Sequence, residues 1–167
     1  NEGFRFGYGA DPEMDRVRAL VRDLFEAPEA AVYLVSTGTA ANSIALATLT
    51  EPWQTIFCTK LSHINEDECN APEFYSGAKL TMVADENAKM TPATLRAAMA
   101  AEENRGVHGP QRGPVSITQI TEKGTVYTIS ELEALTAVAK EFGVTTHLDG
   151  ARFTLSLITI SEPTRLR

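Results

Sequence analysis

Short apolar runs typical of strands alternate along this chain with longer segments of helical periodicity. The strand-type runs lie at residues 31–35, 55–59, 80–84, 115–120 and 144–148. Helical segments, with apolar residues three and four positions apart, begin after Pro12 and cover residues 43–49, 92–101 and 130–142. Because consecutive parallel strands need a crossover helix, this alternation predicts an α/β fold, in which helices cover both faces of a mainly parallel sheet.

Several residues mark the ends of the predicted helices. Pro92 suits a first helical turn, where its missing N–H costs nothing, and Gly143 suits the left-handed residue that ends a helix. Ser130 and Glu133 have the spacing of a capping box. These signals place one helix start at Pro92 and another at Ser130.

No repeat, low-complexity tract or flexible linker divides the chain. We therefore predict one large domain at residues 15–160, preceded by an N-terminal arm at residues 1–14 and followed by a tail at residues 161–167. Residues 153–160 have the pattern of a further helix. The chain does not start with Met, which suggests that a segment precedes it.

Charge and hydropathy exclude two classes of partner. The net charge is -7, and the 15 lysines and arginines are scattered, whereas binding to a phosphate backbone needs clustered basic residues. No run approaches the roughly 18 apolar residues of a membrane-spanning helix. Residues 1–11 lack the basic and apolar regions of a secretion signal, and Cys58 and Cys69 are too few for a disulfide framework. We expect a cytoplasmic protein with reduced thiols that binds neither nucleic acid nor membrane.

Residues 37–42 (TGTAAN) follow the first strand-type run and open a helix. In open α/β sheets, ligands bind outside the carboxyl ends of the strands, so loops in this position are the first place to look for a site. Small residues let backbone N–H groups approach a phosphate at the positive end of the helix. The alternative is a threonine N-cap beside a turn glycine. No GK[ST] follows, so the segment is not a Walker motif.

Residues 62–69 (SHINEDEC) form a polar segment after the second strand-type run. His63 could stack on a flat heterocycle, and the carboxylates could contact a substrate. His63, Glu66 and Cys69 could instead suggest a metal site, but this mixture of hard and soft donors fits no common site well. The remaining alternative is a solvated loop.

Residues 146–152 (THLDGAR) place Asp149 at the end of the last strand-type run. A carboxylate there can keep a nitrogen heterocycle protonated, which makes the ring an electron sink. Arg152 can pair with a phosphate or a carboxylate through two hydrogen bonds. The alternatives are an Asp-Gly turn and an arginine that pairs with a surface acid.

Together with residues 8–12 (YGADP), these three motifs resemble the threonine aldolase and aromatic amino acid β-eliminating lyase family, whose members use pyridoxal 5'-phosphate (PLP). The resemblance runs from Tyr8 to about Leu157. It implies the fold of aspartate aminotransferase (fold type I), with this chain as part of the three-layer α/β/α large domain. It also implies a homo-oligomer that cleaves β-hydroxy-α-amino acids, such as L-threonine and phenylserine, to glycine and an aldehyde.

The resemblance assigns roles to individual residues and implies no metal. His63 and Asp149 are the expected catalytic residues: His63 stacks on the pyridine ring, and Asp149 pairs with the ring nitrogen. The loop at residues 119–124 (QITEKG) is expected to help face the cofactor. Arg152 is expected near the cofactor or the substrate carboxylate. The complete expected cofactor-binding set is Thr37, Gly38, Thr39, His63, Asp149 and Arg152.

The family's Schiff-base lysine is expected some tens of residues beyond Arg152, after the end of this chain at Arg167. Every lysine present precedes the motif at residues 146–152: Lys60, Lys79, Lys89, Lys123 and Lys140. We therefore expect a truncated chain that is inactive alone and binds PLP weakly. Two alternatives stay open: a related PLP lyase that performs β-elimination, and a non-catalytic remnant that acts as an oligomerisation module.

Overall fold

The computed structural model describes residues 3, 7–102 and 105–154 of the 167-residue chain. The chain divides into two compact units, residues 1–36 and residues 37–167. The predicted tail at residues 161–167 and most of the helix predicted at residues 153–160 lie outside the described residues. None of the helices in the described ranges is long and apolar enough to cross a membrane.

The first unit is built around helix α1 (Pro12–Leu24), which confirms the helix expected after Pro12. Asp11 caps its N-terminus by accepting a 3.1 Å hydrogen bond from the N–H of Met14. Arg18 then reaches back to the chain before the helix and donates to the Gly9 carbonyl at 2.9 Å. These two polar contacts fix where the helix begins.

The strand predicted at residues 31–35 is wrong. This segment has an irregular backbone, and the Tyr33 side chain is 83% exposed. Val, Tyr and Leu favour strands, but a strand also needs a neighbour that accepts and donates its backbone hydrogen bonds. Among the described residues, this segment has no such neighbour.

The second unit contains the sheet and its covering helices. Its described helices are α2 (Gly38–Leu49), α3 (His63–Glu66), α4 (Ala71–Ser76), α5 (Pro92–Ala101) and α6 (Ile129–Glu141), with a 3₁₀ turn at Gly106–His108. Its described strands are β1 (Gln54–Thr59), β2 (Lys79–Val83), β3 (Asp85–Glu86), β4 (Lys89–Met90), β5 (Gln111–Thr118) and β6 (Thr146–Asp149). The helix over residues 92–101 has the predicted bounds, while α3, α4 and the short antiparallel hairpin of β3 and β4 were not predicted from sequence.

The main sheet has the strand order β2-β1-β5-β6, and each neighbouring pair is parallel. Phe57 on β1 faces a core formed with α5 and α6, whereas its neighbours Ile56 and Cys58 face a smaller core on the opposite side with Leu46 of α2. Side chains alternate along a strand, so both faces of β1 are buried. The predicted three-layer α/β/α fold with a mainly parallel sheet is confirmed.

Glycine is required at position 113, on β5 beside β1. A Cβ atom there would lie 2.7 Å from the Thr55 carbonyl oxygen, which is closer than such atoms approach. The pairing of β1 and β5 is also irregular between Thr55 and Phe57. The missing side chain lets the two central strands approach each other at the start of β5.

The capping box predicted at Ser130 and Glu133 is wrong by two residues. Thr128 is the N-cap of α6, and its hydroxyl accepts from the Glu131 N–H at 3.2 Å. The Glu131 carboxylate in turn accepts from the Thr128 N–H at 2.7 Å. Both pairs have the required spacing of three, and the backbone is extended at Thr128, as an N-cap residue requires.

This assignment of the cap predicts that Thr128→Ala destabilises the protein more than Ser130→Ala. Losing the N-cap side chain costs about 1 kcal/mol of unfolding free energy. In the described residues, the hydrogen-bond partner of the Ser130 hydroxyl is the Thr128 hydroxyl, at 3.1 Å. Losing the Ser130 hydroxyl should therefore cost less than losing the N-cap, about 0.5 kcal/mol or below. Urea denaturation of the two single variants measures both quantities, and the reverse ranking would place the cap at Ser130.

Candidate active site

A cavity of about 250 Å³ lies at the carboxyl edge of the sheet. It is lined by Gly38, Thr39 and Asn42 of α2, by His63 after β1, and by Asp149, Ala151 and Arg152 at the end of β6. The structure thus brings five of the six predicted cofactor-binding residues to one cavity, although they come from three separate parts of the sequence. Thr37 is the predicted residue that does not line it.

Thr37 is the N-cap of α2. Its hydroxyl accepts a 3.1 Å hydrogen bond from the Ala40 N–H, and its carbonyl accepts from the Ala41 N–H at 3.1 Å. The geometry therefore matches the N-cap that the sequence left open as an alternative. The N–H groups of Gly38 and Thr39 belong to the first helical turn and have no intrahelical acceptor, so they suit an anion at the positive end of α2.

Asp149 is the last residue of β6 and is buried. Its Oδ1 accepts from the Ala151 N–H at 3.0 Å, and its Oδ2 accepts from Nδ2 of Asn42 at 3.2 Å. Its backbone carbonyl also accepts from the N–H of Gln119, just after β5, at 3.0 Å. The carboxylate is therefore held in one orientation beside the cavity.

His63 lies at the start of α3, and its side chain is 38% exposed. Its Nδ1 lies 2.8 Å from Oε1 of Glu68, and its backbone N–H donates to Glu122 at 3.1 Å. The hydrogen bond with Glu68 is the largest cause that raises the pKa of the imidazole above its ordinary value. Burial acts in the opposite direction, and the charges of Glu68, Asp67 and Asp149 raise the pKa further.

Asn42 and Glu68 are site residues that the sequence did not single out. The Asn42 amide donates to Glu68 at 2.7 Å as well as to Asp149, and all three side chains are buried. Both residues lie within the motifs at 37–42 and 62–69, which was the available signal. The hydrogen bond between Asn42 and Glu68 joins residues 26 positions apart in the sequence, and no local pattern predicts it.

Arg152 is bound to the loop predicted to face the cofactor. Its Nε donates to the Ile120 carbonyl at 2.8 Å, and its Nη2 lies 3.1 Å from Oε1 of Glu122. The same loop helps to line a second cavity of about 450 Å³, which shares two residues with the first. This second cavity is lined by His63, Asp67, Ile120, Thr121, Glu122, Gly124 and Arg152.

His147, also in the motif at 146–152, has a different environment from His63. It is buried, and its Nδ1 lies 2.9 Å from the Ser116 hydroxyl on the neighbouring strand. Burial lowers its pKa, although the charges of Asp149 and Glu68 partly oppose this shift. His147 therefore stays neutral near pH 7, and it is not among the residues that line the first cavity.

Neither cysteine forms part of a metal site in the described residues. No group of three or more His, Cys, Asp and Glu side chains in residues 7–102 and 105–154 is placed to hold a metal ion. Cys69 is exposed and Cys58 is buried. Burial raises the pKa of the Cys58 thiol to about 12, which keeps it protonated and unreactive.

One protein family and its members are similar to this chain over most of its length. The family model described as beta-eliminating lyase matches residues 6–165. A low specificity L-threonine aldolase from Pseudomonas aeruginosa is 42% identical over 154 residues, which cover 92% of this chain and 44% of that protein. This chain therefore spans under half the length of that relative.

Solved structures extend the similarity to the fold. A threonine aldolase from Leishmania major superimposes with a TM-score of 0.88 at 36% identity, over 94% of this chain and 45% of that one. A serine palmitoyltransferase variant from S. paucimobilis, solved with a bound PLP–myriocin aldimine, gives a TM-score of 0.64 at 18% identity over 88% of this chain and 33% of that one. The second likeness concerns the fold alone, and it confirms the prediction of a partial large domain of the PLP-dependent transferase fold.

The contact of Asn42 with two carboxylates predicts a strong, pH-dependent effect of Asn42→Asp. The variant places a third carboxylate between two buried ones, and we expect it to lower the unfolding free energy by about 3 kcal/mol at pH 7. Protonation removes the charge of the introduced carboxylate, so the penalty is full at pH 7 and shrinks as the pH falls and that carboxylate becomes protonated.

Asn70→Asp is the matched control, because Asn70 is exposed and the charge change is the same. Urea denaturation at pH 7 and at pH 4 measures both variants. Equal stability of the two variants at pH 7 would contradict the buried contacts of Asn42.

Proposed function

Because this chain belongs to the beta-eliminating lyase family, we propose that it supplies the PLP-binding residues of an enzyme that cleaves β-hydroxy-α-amino acids to glycine and an aldehyde. L-Threonine and phenylserine represent the substrate class. The observation that carries the proposal is the 42% identity with a low specificity L-threonine aldolase over 92% of the chain. The activity belongs to the whole protein of which such a chain is a part, because the similarity spans 44% of that relative.

The chemistry of the cavity suits PLP. The first turn of α2 offers N–H donors at Gly38 and Thr39 for the phosphate. The exposed imidazole of His63 offers a flat surface for the ring, and the Asp149 carboxylate offers a partner for the ring nitrogen. Bound PLP supplies an electron sink that stabilises negative charge at the substrate α-carbon.

Asp149 is proposed to hold a proton at the ring nitrogen. Its two oxygens already accept hydrogen bonds from the Ala151 N–H and the Asn42 amide, which fix the orientation of the carboxylate. An ionised carboxylate facing a pyridine nitrogen keeps that nitrogen protonated. The role therefore follows from the charge of Asp149 and from the fixed orientation of its side chain.

His63 is proposed to stack on the ring and to handle the β-hydroxyl proton. Its Nδ1 is engaged by Glu68, so Nε2 is the ring nitrogen that remains for the substrate. When the imidazole is neutral, Nε2 can accept the proton that the β-hydroxyl group loses as the Cα–Cβ bond breaks. Stacking and proton transfer then come from one side chain at the edge of the cavity.

Arg152 is proposed to bind the cofactor or the substrate carboxylate. Guanidinium has five N–H donors, and two are directed at Ile120 and Glu122. Those two contacts hold the planar group beside both cavities, with further donors for an anion. Thr37 is proposed to act indirectly, as the cap that opens the phosphate-binding turn.

The remaining parts of the proposal concern the whole protein. We propose a cytoplasmic homo-oligomer with residues 15–160 as the large PLP-binding domain, residues 1–14 as an arm and residues 161–167 as a tail. The two free thiols support a reducing compartment. The exposed Ile44 on α2 and the exposed Phe74 and Tyr75 on α4 support a partner subunit, because large exposed apolar side chains mark interaction surfaces when they cluster.

Grafting tests the proposed activity. In a chimera, residues 8–154 of this chain replace the matching segment of the Pseudomonas aeruginosa enzyme. We expect the chimera to bind PLP and to convert L-threonine to glycine and acetaldehyde, with kcat/KM within about tenfold of the parent because the cofactor contacts are retained. Release of a keto acid and ammonia would contradict the proposed reaction and favour β-elimination.

Within the chimera, Asp149→Asn tests the role of the carboxylate. Removing one preorganised charge from an active site costs about 10²-fold in kcat, so we expect a loss of that order with folding preserved. Asp23→Asn is the matched control on an exposed position of α1 and should leave kcat unchanged. Full activity of Asp149→Asn would overturn the assignment of Asp149.

A further inference from the structure

Glu68 is a buried acid to which the proposed reaction gives no role. It lies just after α3, is 3% exposed, and makes both of its side-chain hydrogen bonds in the described residues through Oε1. Oε2 is buried and has no partner within the described ranges. Burying a carboxylate is costly unless a cation or several donors compensate, so its retention here needs an explanation.

The partner of Glu68 that can carry a positive charge is His63. An ionised carboxylate only accepts hydrogen bonds, so Nδ1 of His63 must carry the hydrogen in their 2.8 Å contact. The neutral imidazole is then the Nδ1–H tautomer, with an unprotonated Nε2. The contact also limits rotation of the ring, because Nδ1 must stay directed at Oε1.

Asn42 connects this pair to the other side of the cavity. An amide nitrogen carries two hydrogens, and Nδ2 of Asn42 directs one at Glu68 (2.7 Å) and one at Asp149 (3.2 Å). Aspartate at position 42 has no such donors, and a hydroxyl has one. One side chain thereby sets the position of Glu68 relative to that of Asp149.

We propose that Glu68 and Asn42 are positioning residues of this site. Glu68 sets the tautomer and the ring orientation of His63. Asn42 fixes the position of the Glu68 carboxylate relative to that of Asp149. Neither lies on the path of a proton or touches the reacting atoms in this scheme; each acts through a residue that does. The inference rests on the proposed function, because it takes His63 and Asp149 to contact the same cofactor.

Nuclear magnetic resonance of ¹⁵N-labelled histidine tests the tautomer without cofactor. The 167-residue chain has three histidines, and His63→Gln assigns the signal of His63. We expect Nδ1 to carry the hydrogen in the neutral form and the imidazole to titrate above its ordinary pKa. The charged groups near His63 in the described residues are the carboxylates of Glu68, Asp67 and Asp149, that of Glu122 through the backbone N–H, and Arg152, which lines the same two cavities.

Glu68→Gln removes the charge and keeps the size of the side chain. We expect the pKa of His63 to fall towards its ordinary value, and the Nε2–H tautomer to become populated, since a glutamine amide can donate to Nδ1. In the chimera, PLP should bind about tenfold more weakly by equilibrium dialysis, by analogy with the loss seen when the partner that orients a metal-binding histidine is removed. Glu66→Gln, at an exposed position of α3, is the charge-matched control and should change none of the three readouts.

An unchanged titration and tautomer of His63 in Glu68→Gln would overturn the proposal. If that variant does not fold, the tautomer of His63 in the unsubstituted chain tests the proposal. A neutral His63 with the hydrogen on Nε2 would be incompatible with the contact to Glu68 and would overturn the proposal. Failure of the proposed function has a different signature. In that case the chimera fails to cleave L-threonine to glycine and acetaldehyde, while the histidine signals of the unsubstituted chain behave as expected for the Glu68 contact.

Discussion

The site depends on the parallel pairing of β1, β5 and β6. Parallel strands end at the same edge of a sheet, and the register places Thr118 at the end of β5 beside Asp149 at the end of β6. The segments that follow these strands therefore meet in space. The Glu122 carboxylate accepts hydrogen bonds from the His63 N–H and from Arg152, across 59 and 30 positions of sequence, and without the parallel register neither contact would form.

A second constraint is that the buried carboxylates of Asp149 and Glu68, at the carboxyl edge of the sheet, have few cations near them. Asp149 and Glu68 are buried close together, and a neutral amide, that of Asn42, is the group that separates them. His63 compensates Glu68 from one side, and Arg152 compensates Glu122 nearby. Before any ligand enters, the cavity is thus a set of oriented acceptors, with donors from α2 on one wall. This polarity suits a ligand with an anionic group at one end and a basic ring nitrogen at the other.

Sequence patterns predicted correctly those elements whose ends are set by interactions between residues close together in the chain. The helix at 92–101 was predicted with its observed bounds, because Pro92 marks its start locally. The strand at 31–35 was predicted wrongly, because strand formation depends on a neighbouring strand as well as on residue type. The cap of α6 was misplaced since Ser130 and Thr128 both precede an acid by three positions, and only the backbone conformation distinguishes them.

For the site, the sequence by itself determined which segments matter: the small residues at 37–42, the polar segment at 62–69 and the Asp-Gly-Ala-Arg motif. Their residue types and their order along the chain carry that information. The tertiary structure decided which side chains touch, assigning Thr37 to a helix cap and joining Asn42, Glu68 and Asp149. The physical reason is that hydrogen bonds between distant segments depend on strand register and helix placement, and these are set by packing of the whole core rather than by any local run of residues.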